Sequence, residues 1–223
     1  MDDASLVKKY KDLGFIPEAA SDLITRRYSY PLVHDPGTRW TYGPNLDWAG
    51  KLVERATAMD LEEYLQRHIC APLGITDMTF KLQKHPDLVA RQADMSRRDA
   101  NGVPENADAS YLVKDPDDCF GGMGLFASPA SHMAVLHSLL KNDARLLSPS
   151  MVDAIFQPQL DAACEESIND RFDRKPHGGL LPPVGIRRNH GLGGVMIMED
   201  CDGDVWRRRG SISWVGFPNL FWT

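Results

Sequence analysis

Apolar residues recur at helical spacing through most of the chain and switch to strand-like alternation near its end. Leu46, Ala49, Leu52, Val53 and Ala56 fall on one face of a predicted amphipathic helix, with Lys51, Glu54 and Arg55 on the other. Asp60, followed three residues later by Glu63, is a capping-box arrangement. It predicts a second helix carrying Leu61, Tyr64, Leu65 and Ile69, ended by Pro72 and Gly74. Ser128-Pro129 places an N-cap serine before a first-turn proline. The helix it opens is expected to bury Met133, Leu136, Leu139 and Leu140. Ser148-Pro149 repeats the device for a helix bearing Val152, Ile155 and Phe156.

From about Gly191 the period becomes that of strands. Val195-Met196-Ile197-Met198, an Asp202-Gly203 turn and Val205-Trp206-Arg207-Arg208 predict a hairpin. Ser211–Val215 and Leu220–Trp222 read as two further strands. Helices first and strands last imply an α/β protein of the α+β type, a helical subdomain followed by part of an antiparallel sheet. The expected organisation is one partial domain over residues 1–223, with 1–190 mainly helical and 191–223 supplying the strands. Residues 81–118 are polar with a turn at Asn101-Gly102, and read as a long functional loop or lid.

The chain has 223 residues, 43% hydrophobic and 25% charged, with a formal charge of −6. That charge argues against nucleic acid or an anionic membrane as principal partner. No run approaches the ~18 apolar residues of a membrane span. The acidic start, Met1-Asp2-Asp3, does not resemble a signal peptide. Cys70, Cys119, Cys164 and Cys201 form no C-x-x-C pair and are expected as reduced thiols, which points to the cytosol.

Metal and cofactor motifs are not found. Asp200, Asp202 and Asp204 have a glycine at the wrong place for a calcium loop and fit a hairpin turn better. His132 and His137 are five residues apart and share no helix face. The glycines at 121–124 and 191–194 make no G-x-G-x-x-G, and G-x-S-x-G is absent. No metal and no cofactor is therefore assigned. Two Ser-x-x-Lys strings occur, Ser5 to Lys8 and Ser138 to Lys141. Serine and lysine one helical turn apart let an amine take the hydroxyl proton. The string is short and common, so both are read as coincidences.

The segment Trp40-Thr41-Tyr42-Gly43-Pro44-Asn45 follows the Asp35-Pro36-Gly37 turn and runs into the first predicted helix. It sets a phenol and a carboxamide at the mouth of a loop. Alone, Tyr42 could be a packing tyrosine with its hydroxyl bonded to a carbonyl. Its context changes that reading. Tyr42-Gly43-Pro44-Asn45, Ala71-Pro72-Leu73-Gly74-Ile75-Thr76-Asp77-Met78, Phe120-Gly121-Gly122-Met123-Gly124-Leu125 and Arg209–Gly216 together resemble the serine hydrolases and acyltransferases of the class C β-lactamase and penicillin-binding fold. The narrower resemblance is to the acyltransferases (transesterases) of the lovastatin pathway and their compactin and monacolin relatives. It rests on Asn45 to Thr57 and Ile69 to Gln83, nearly word for word.

The resemblance implies a partial β-lactamase/penicillin-binding (transpeptidase-like) fold. It also implies transfer of a short acyl group from a polyketide synthase carrier-protein thioester to a polyketide alcohol acceptor. Tyr42 would be the catalytic phenol, Arg27 and Asn45 would bind substrate, and Trp214 and Gly216 would stand at the third motif. The sequence departs from the family at Trp214-Val215-Gly216, where the relatives have Phe-Gly-Gly, and at Ala58, where they favour glycine. In the family mechanism a serine attacks the thioester, backbone donors hold the oxyanion, and the alcohol then attacks the acyl-serine. A phenol ordinarily titrates near pH ~10, so its proton relay needs a neighbouring ammonium. The family's Ser-x-x-Lys motif lies far upstream of the tyrosine. The chain is therefore expected to be a fragment without its nucleophile. A non-catalytic remnant or binding module and a related ester or β-lactam hydrolase are the alternative readings.

Overall fold

A computed structural model describes residues 8, 10, 12–14, 23–29, 32–107, 116–174, 184–202, 206–216 and 220–223. The chain divides into two compact units, Met1–Pro31 with Gly43–Leu140, and Leu32–Tyr42 with Lys141–Thr223. Their boundaries do not coincide with the change of sequence period near 191.

In the first unit a short helix α1 (Ile24–Arg27) precedes α2 (Asn45–Thr57) and α3 (Leu61–Leu65). Asp60 caps α3 by accepting from the Glu63 backbone N–H at 2.7 Å, as its position predicts. The helix then widens into a π-turn over Gln66–Cys70 and closes with α4 (Ala71–Leu73), where Gly74 takes φ +70°. Leu65, Cys70, Ile75, Met78, Phe80 and Cys119 form the core of this unit. Strand β1 (Met78–Thr79) is later paired antiparallel with β4 (Phe126–Ala127).

The stretch expected as one long loop is partly built. It holds a 3-10 turn (Leu82–Lys84), α5 (Pro86–Val89) and a hairpin of β2 (Ser96–Arg98) with β3 (Pro104–Asn106). Asp99 makes the hairpin turn, its carboxylate accepting from the N–H groups of Asn101 and Val103 at 2.9 and 2.8 Å. A side chain bonding its own loop backbone substitutes for apolar periodicity, which is why the pattern hid these strands. Residues 108–115 lie outside the described residues.

Two helices turn a different face inward from the one their apolar spacing predicts. In α2 the buried residues are Asp47 and Gly50, with Lys51 and Glu54 half-buried beside them, while Leu52 is 68% exposed. The inward carboxylates and amine are satisfied by partners described below, so burying them is tolerated. In α6 (Pro129–Lys141), capped by Ser128 Oγ, Met133 and Leu140 are exposed. Ala134 and Val135 meet the core instead, and Ser138 is buried. This helix is apolar around most of its girth, so spacing alone does not choose its face.

The second unit pairs helices with a sheet. Ser148 precedes α7 (Pro149–Ile155) without a side-chain capping bond, its hydroxyl lying against that of Ser150 instead. Helix α8 (Ala162–Arg174) was not anticipated: it is strongly charged, and only Cys164, Ile168 and Phe172, one turn apart, are buried. The sheet is a four-stranded antiparallel meander of β5 (Arg188–His190), β6 (Val195–Ile197), β7 (Ile212–Gly216) and β8 (Leu220–Trp222). Ile168 and Phe172 pack on Val195, with Trp40, Leu160, Trp214 and Val215 around them. Asn169 ties α8 to the sheet, accepting from the Arg188 N–H at 2.9 Å and donating to its carbonyl at 2.8 Å.

The hairpin expected after β6 is corrected. Among the described residues, the 205–208 segment contributes a single bridge, Cys201 to Arg207, and β6 pairs with β5 and β7. Asp200 explains this. Its carboxylate accepts from the Arg209 N–H at 2.8 Å and pairs with Arg208 at 3.0 Å, closing the segment on itself. Gly203, Asp204 and Val205 lie outside the described residues. The two strands expected near the C-terminus form as β7 and β8.

Ala58 ends α2 in the left-handed conformation at φ 56°. A Cβ there costs roughly 1–2 kcal/mol, and glycine gives part of that back through its larger unfolded-state entropy. Ala58→Gly should therefore raise unfolding stability by about 1 kcal/mol, read as a higher urea midpoint with an unchanged slope.

Candidate functional site

In the second unit, the segment 32–42 is pinned before it reaches Tyr42. Gly37 turns at φ +79°, and its carbonyl accepts from the Cys164 thiol at 3.3 Å. His34 Nε2 lies 2.9 Å from the Thr41 hydroxyl. The Trp40 N–H donates to Ser167 Oγ of α8 at 3.0 Å, and its ring tilts on Phe172 at 5.8 Å. Tyr42, two residues on, is 65% exposed. Its ring stacks on Trp214 with centroids 5.9 Å apart and planes 18° apart. The structure thus brings together two residues far apart in sequence, Tyr42 and Trp214. Gly216 ends β7 opposite Leu220, and a Cβ there would meet nothing within 4 Å.

His190, which the sequence did not single out, sits beside them. Its ring meets Trp214 edge-on at 5.9 Å and 65°, and Trp40 at 6.3 Å and 36°. Nδ1 faces the Gly191 carbonyl. A carbonyl only accepts, so Nδ1 carries the proton and donates. Burial holds the imidazole below its ordinary pKa, against the opposing pull of that hydrogen bond.

The first unit holds Arg27 and Asn45. Arg27 ends α1, half-buried, with its guanidinium 5.2 Å above the Phe120 ring and 5.8 Å from that of Tyr28. Phe120 and Tyr28 meet edge to face at 6.2 Å. Asp118 fixes this corner, accepting from the Ile24 N–H at 2.9 Å and from Lys51 Nζ at 2.8 Å. Burial works to lower the Lys51 pKa, but the bonds to Asp118 and Glu54 outweigh it and hold the ammonium above its ordinary value.

The glycine run reads the same way. Gly122 N–H donates to Asp47 Oδ1 at 2.9 Å, and a Cβ on Gly121 would stand 2.7 Å from the Leu46 carbonyl. Only glycine lets this loop lie against the start of α2. Burial raises the Asp47 carboxyl pKa, opposed by the Gly122 N–H and by the Arg27 charge. Asn45 is the exposed first residue of α2, immediately after Pro44.

Of the two Ser-x-x-Lys strings, Ser138 is buried within α6 and Ser5 lies outside the described residues. No group of three or more His, Cys, Asp or Glu side chains among the described residues could hold a metal. The four cysteines are buried and form no disulfide, and burial pushes the Cys119 thiol up to about 11. Asp47 and His190 carry no functional reading in the sequence, and Phe120 enters there only as the first residue of a family string. Asp47 was hidden by the assumption that apolar spacing chooses a helix's inner face, and a lone histidine before a glycine turn carries no spacing signal.

A family model described as Beta-lactamase matches residues 5–216. Among curated proteins, the monacolin J acid methylbutanoyltransferase of Aspergillus terreus is 52% identical over 221 residues, 97% of this chain and 53% of the relative. A lovastatin esterase of Penicillium rubens is 37% identical over 204 residues, covering 90% and 51% of the two chains. Unliganded simvastatin synthase (LovD) from Aspergillus terreus superposes with a TM-score of 0.87 at 52% identity, covering 98% of this chain and 55% of that one. The chain spans about half the length of the curated relatives it matches. The partial β-lactamase/penicillin-binding fold, of α+β type, is borne out.

The buried imidazole gives the second unit a pH signature. Native His190 resists protonation, whereas in the unfolded chain it takes a proton near its ordinary value of 6.5. Acid therefore favours the unfolded state: stability is complete above pH 6.5 and declines as pH falls below it, by at most about 1.4 kcal/mol per pH unit for one group. Urea titrations between pH 7 and 5 should show this slope, and it should flatten in His190→Gln.

Proposed function

Because the chain belongs to the Beta-lactamase family, we propose that it forms the tyrosine-bearing portion of a serine acyltransferase. The reaction moves a short acyl group from a carrier-protein thioester to an alcohol on a polyketide. The observation that carries this reading is the Tyr42–Trp214 pair. An exposed phenol is held by its ring face on the very strand where the family's third motif falls. A packing tyrosine would bury its ring and bond its hydroxyl inward.

In this reading Tyr42 relays protons in both half-reactions. It takes the serine hydroxyl proton as the Ser O–C bond forms, and returns it to sulfur as the C–S bond breaks. It then takes the alcohol's proton as the acyl group leaves the serine and restores it to the serine oxygen. The serine and lysine are those of the family's Ser-x-x-Lys motif, not Ser138, which is buried. Trp214 and Gly216 flank the acyl group. Arg27 suits an acceptor bearing a carboxylate, as the name of the Aspergillus relative, monacolin J acid methylbutanoyltransferase, gives for that protein. Asn45 stands at the same helix start as an acceptor contact. The reaction calls for no cofactor. No described helix is long and apolar enough to cross a membrane, and the proposed compartment is the cytoplasm.

A hydrolytic variant is the second reading, favoured by the 37% identity to a lovastatin esterase. The acyl-serine is shared, and water replaces the alcohol. The ratio of ester exchange to hydrolysis at saturating alcohol separates the two.

The test joins this chain to the flanking segments of the Aspergillus relative, including its Ser-x-x-Lys motif, and assays a methylbutanoyl thioester with an acid-bearing alcohol. Tyr42→Phe should lower kcat by about 10²–10⁴-fold. Arg27→Ala should raise the acceptor KM more than it lowers kcat, as for a group that binds ground and transition states alike. Near-full activity in Tyr42→Phe would make it a packing residue and overturn the reading.

A further inference from the structure

We propose that His190 is a positioning residue for Tyr42, acting through the indole of Trp214. The proposal rests on the reading of Tyr42 as the catalytic phenol. Tyr42 sits at the end of the pinned segment 32–42 with most of its ring in solvent, and the ring contact the structure gives it is Trp214. A relay phenol must hold its oxygen within hydrogen-bond reach of two partners in turn. The orientation of the Trp214 ring therefore decides where that oxygen sits.

Three constraints fix the histidine that abuts this indole. Its Nδ1–H donates to the Gly191 carbonyl, which sets the ring's rotation about its side-chain bonds. That carbonyl cannot drift. Gly191 N–H donates to Gly194 at 2.9 Å, Leu192 N–H to Ile155 at 3.2 Å, and a Cβ on Gly191 would fall 2.4 Å from the Ile155 carbonyl. On its other side the imidazole lies against Trp40, itself anchored to Ser167 and Phe172 of α8.

The imidazole and Trp214 rings then meet at 65°, within the edge-to-face range that aromatic quadrupoles favour. Trp214 presents its own face to Tyr42 at 18°. Order passes from α8 and the β5–β6 turn through Trp40, His190 and Trp214 to the phenol. Burial keeps the imidazole neutral at neutral pH, so no charge disturbs the stack.

The experiment uses the full 223-residue chain and needs no turnover. The Tyr42 contribution to near-UV circular dichroism is the difference between wild type and Tyr42→Phe, measured again in His190→Leu and His190→Phe backgrounds. Leucine keeps the volume but removes both the aromatic edge and the N–H, whereas phenylalanine keeps the edge. The difference signal should fall by more than half with His190→Leu and return in part with His190→Phe, which keeps an aromatic ring but lacks the N–H that sets its rotation, far-UV spectra remaining unchanged. A full Tyr42 signal in His190→Leu, or none in His190→Phe despite a native far-UV spectrum, would overturn the proposal. If His190→Leu fails to fold, Trp40→Leu severs the same relay one ring earlier and must weaken the signal in the same way.

A second arm uses the joined enzyme described above. There His190→Leu should lower kcat at least tenfold with the acceptor KM within twofold, and His190→Phe should recover part of that loss. Unchanged kcat in His190→Leu sinks the positioning role even where Tyr42→Phe is inactive. Full activity in Tyr42→Phe sinks the catalytic reading instead, and leaves the spectroscopic result to stand by itself.

Discussion

The seating of α8 on the sheet is the constraint on which the second unit depends. Ile168 and Phe172 close over Val195, and Asn169 satisfies both backbone groups of Arg188 on the edge strand. The buried Arg188 guanidinium meets Asp173 at 3.0 Å, and Asn189 exchanges bonds with both backbone groups of Leu160. Removing one partner of such a group leaves an uncompensated buried charge, typically costing 3–5 kcal/mol. Trp40 and Trp214 both pack against this apolar cluster. The place of Tyr42 is thus inherited from a helix more than a hundred residues later in the chain.

The first unit is organised by polar contacts where apolar ones were expected. Helix α2 points Asp47, Lys51 and Glu54 inward. Each has a defined partner: the Gly122 N–H, the Asp118 carboxylate and the Leu61 N–H. A hydrogen bond has a direction that an apolar contact lacks, so this network fixes the rotation of α2 and the path of the Phe120–Gly124 loop together. That loop supplies the aromatic floor beneath Arg27. Glu62 does similar work nearby, its two oxygens accepting from Thr79, Gln66 and the Phe80 N–H.

The two units hold different candidate groups. One offers an exposed phenol with a rigid aromatic backing, suited to moving protons without moving itself. The other offers a cation on an aromatic face beside a well-held glycine loop, suited to gripping an anionic group. The Arg27 guanidinium carbon lies 5.2 Å from the Phe120 ring centroid, within cation–π range.

What the sequence determined by itself is local. The caps at Asp60 and Ser128, the left-handed end at Ala58 and the existence of strands β7 and β8 follow from side-chain and backbone chemistry within a few residues. The family motifs around Tyr42 and Trp214 were legible in the same way, as short strings of fixed residue types. Tertiary structure decided which faces turn inward. Asp47 is 3% exposed and Leu52 68% because partners many residues away, Gly122 and Asp118, satisfy the polar side of α2. It also decided that α8 exists as a packed helix on three buried side chains, that Arg208 and Arg209 bond back to Asp200 while β6 pairs with β5 and β7, and that His190 meets Trp214. Periodicity counts the side chains available for burial. Which of them are buried is set by the partners that long-range folding brings within reach.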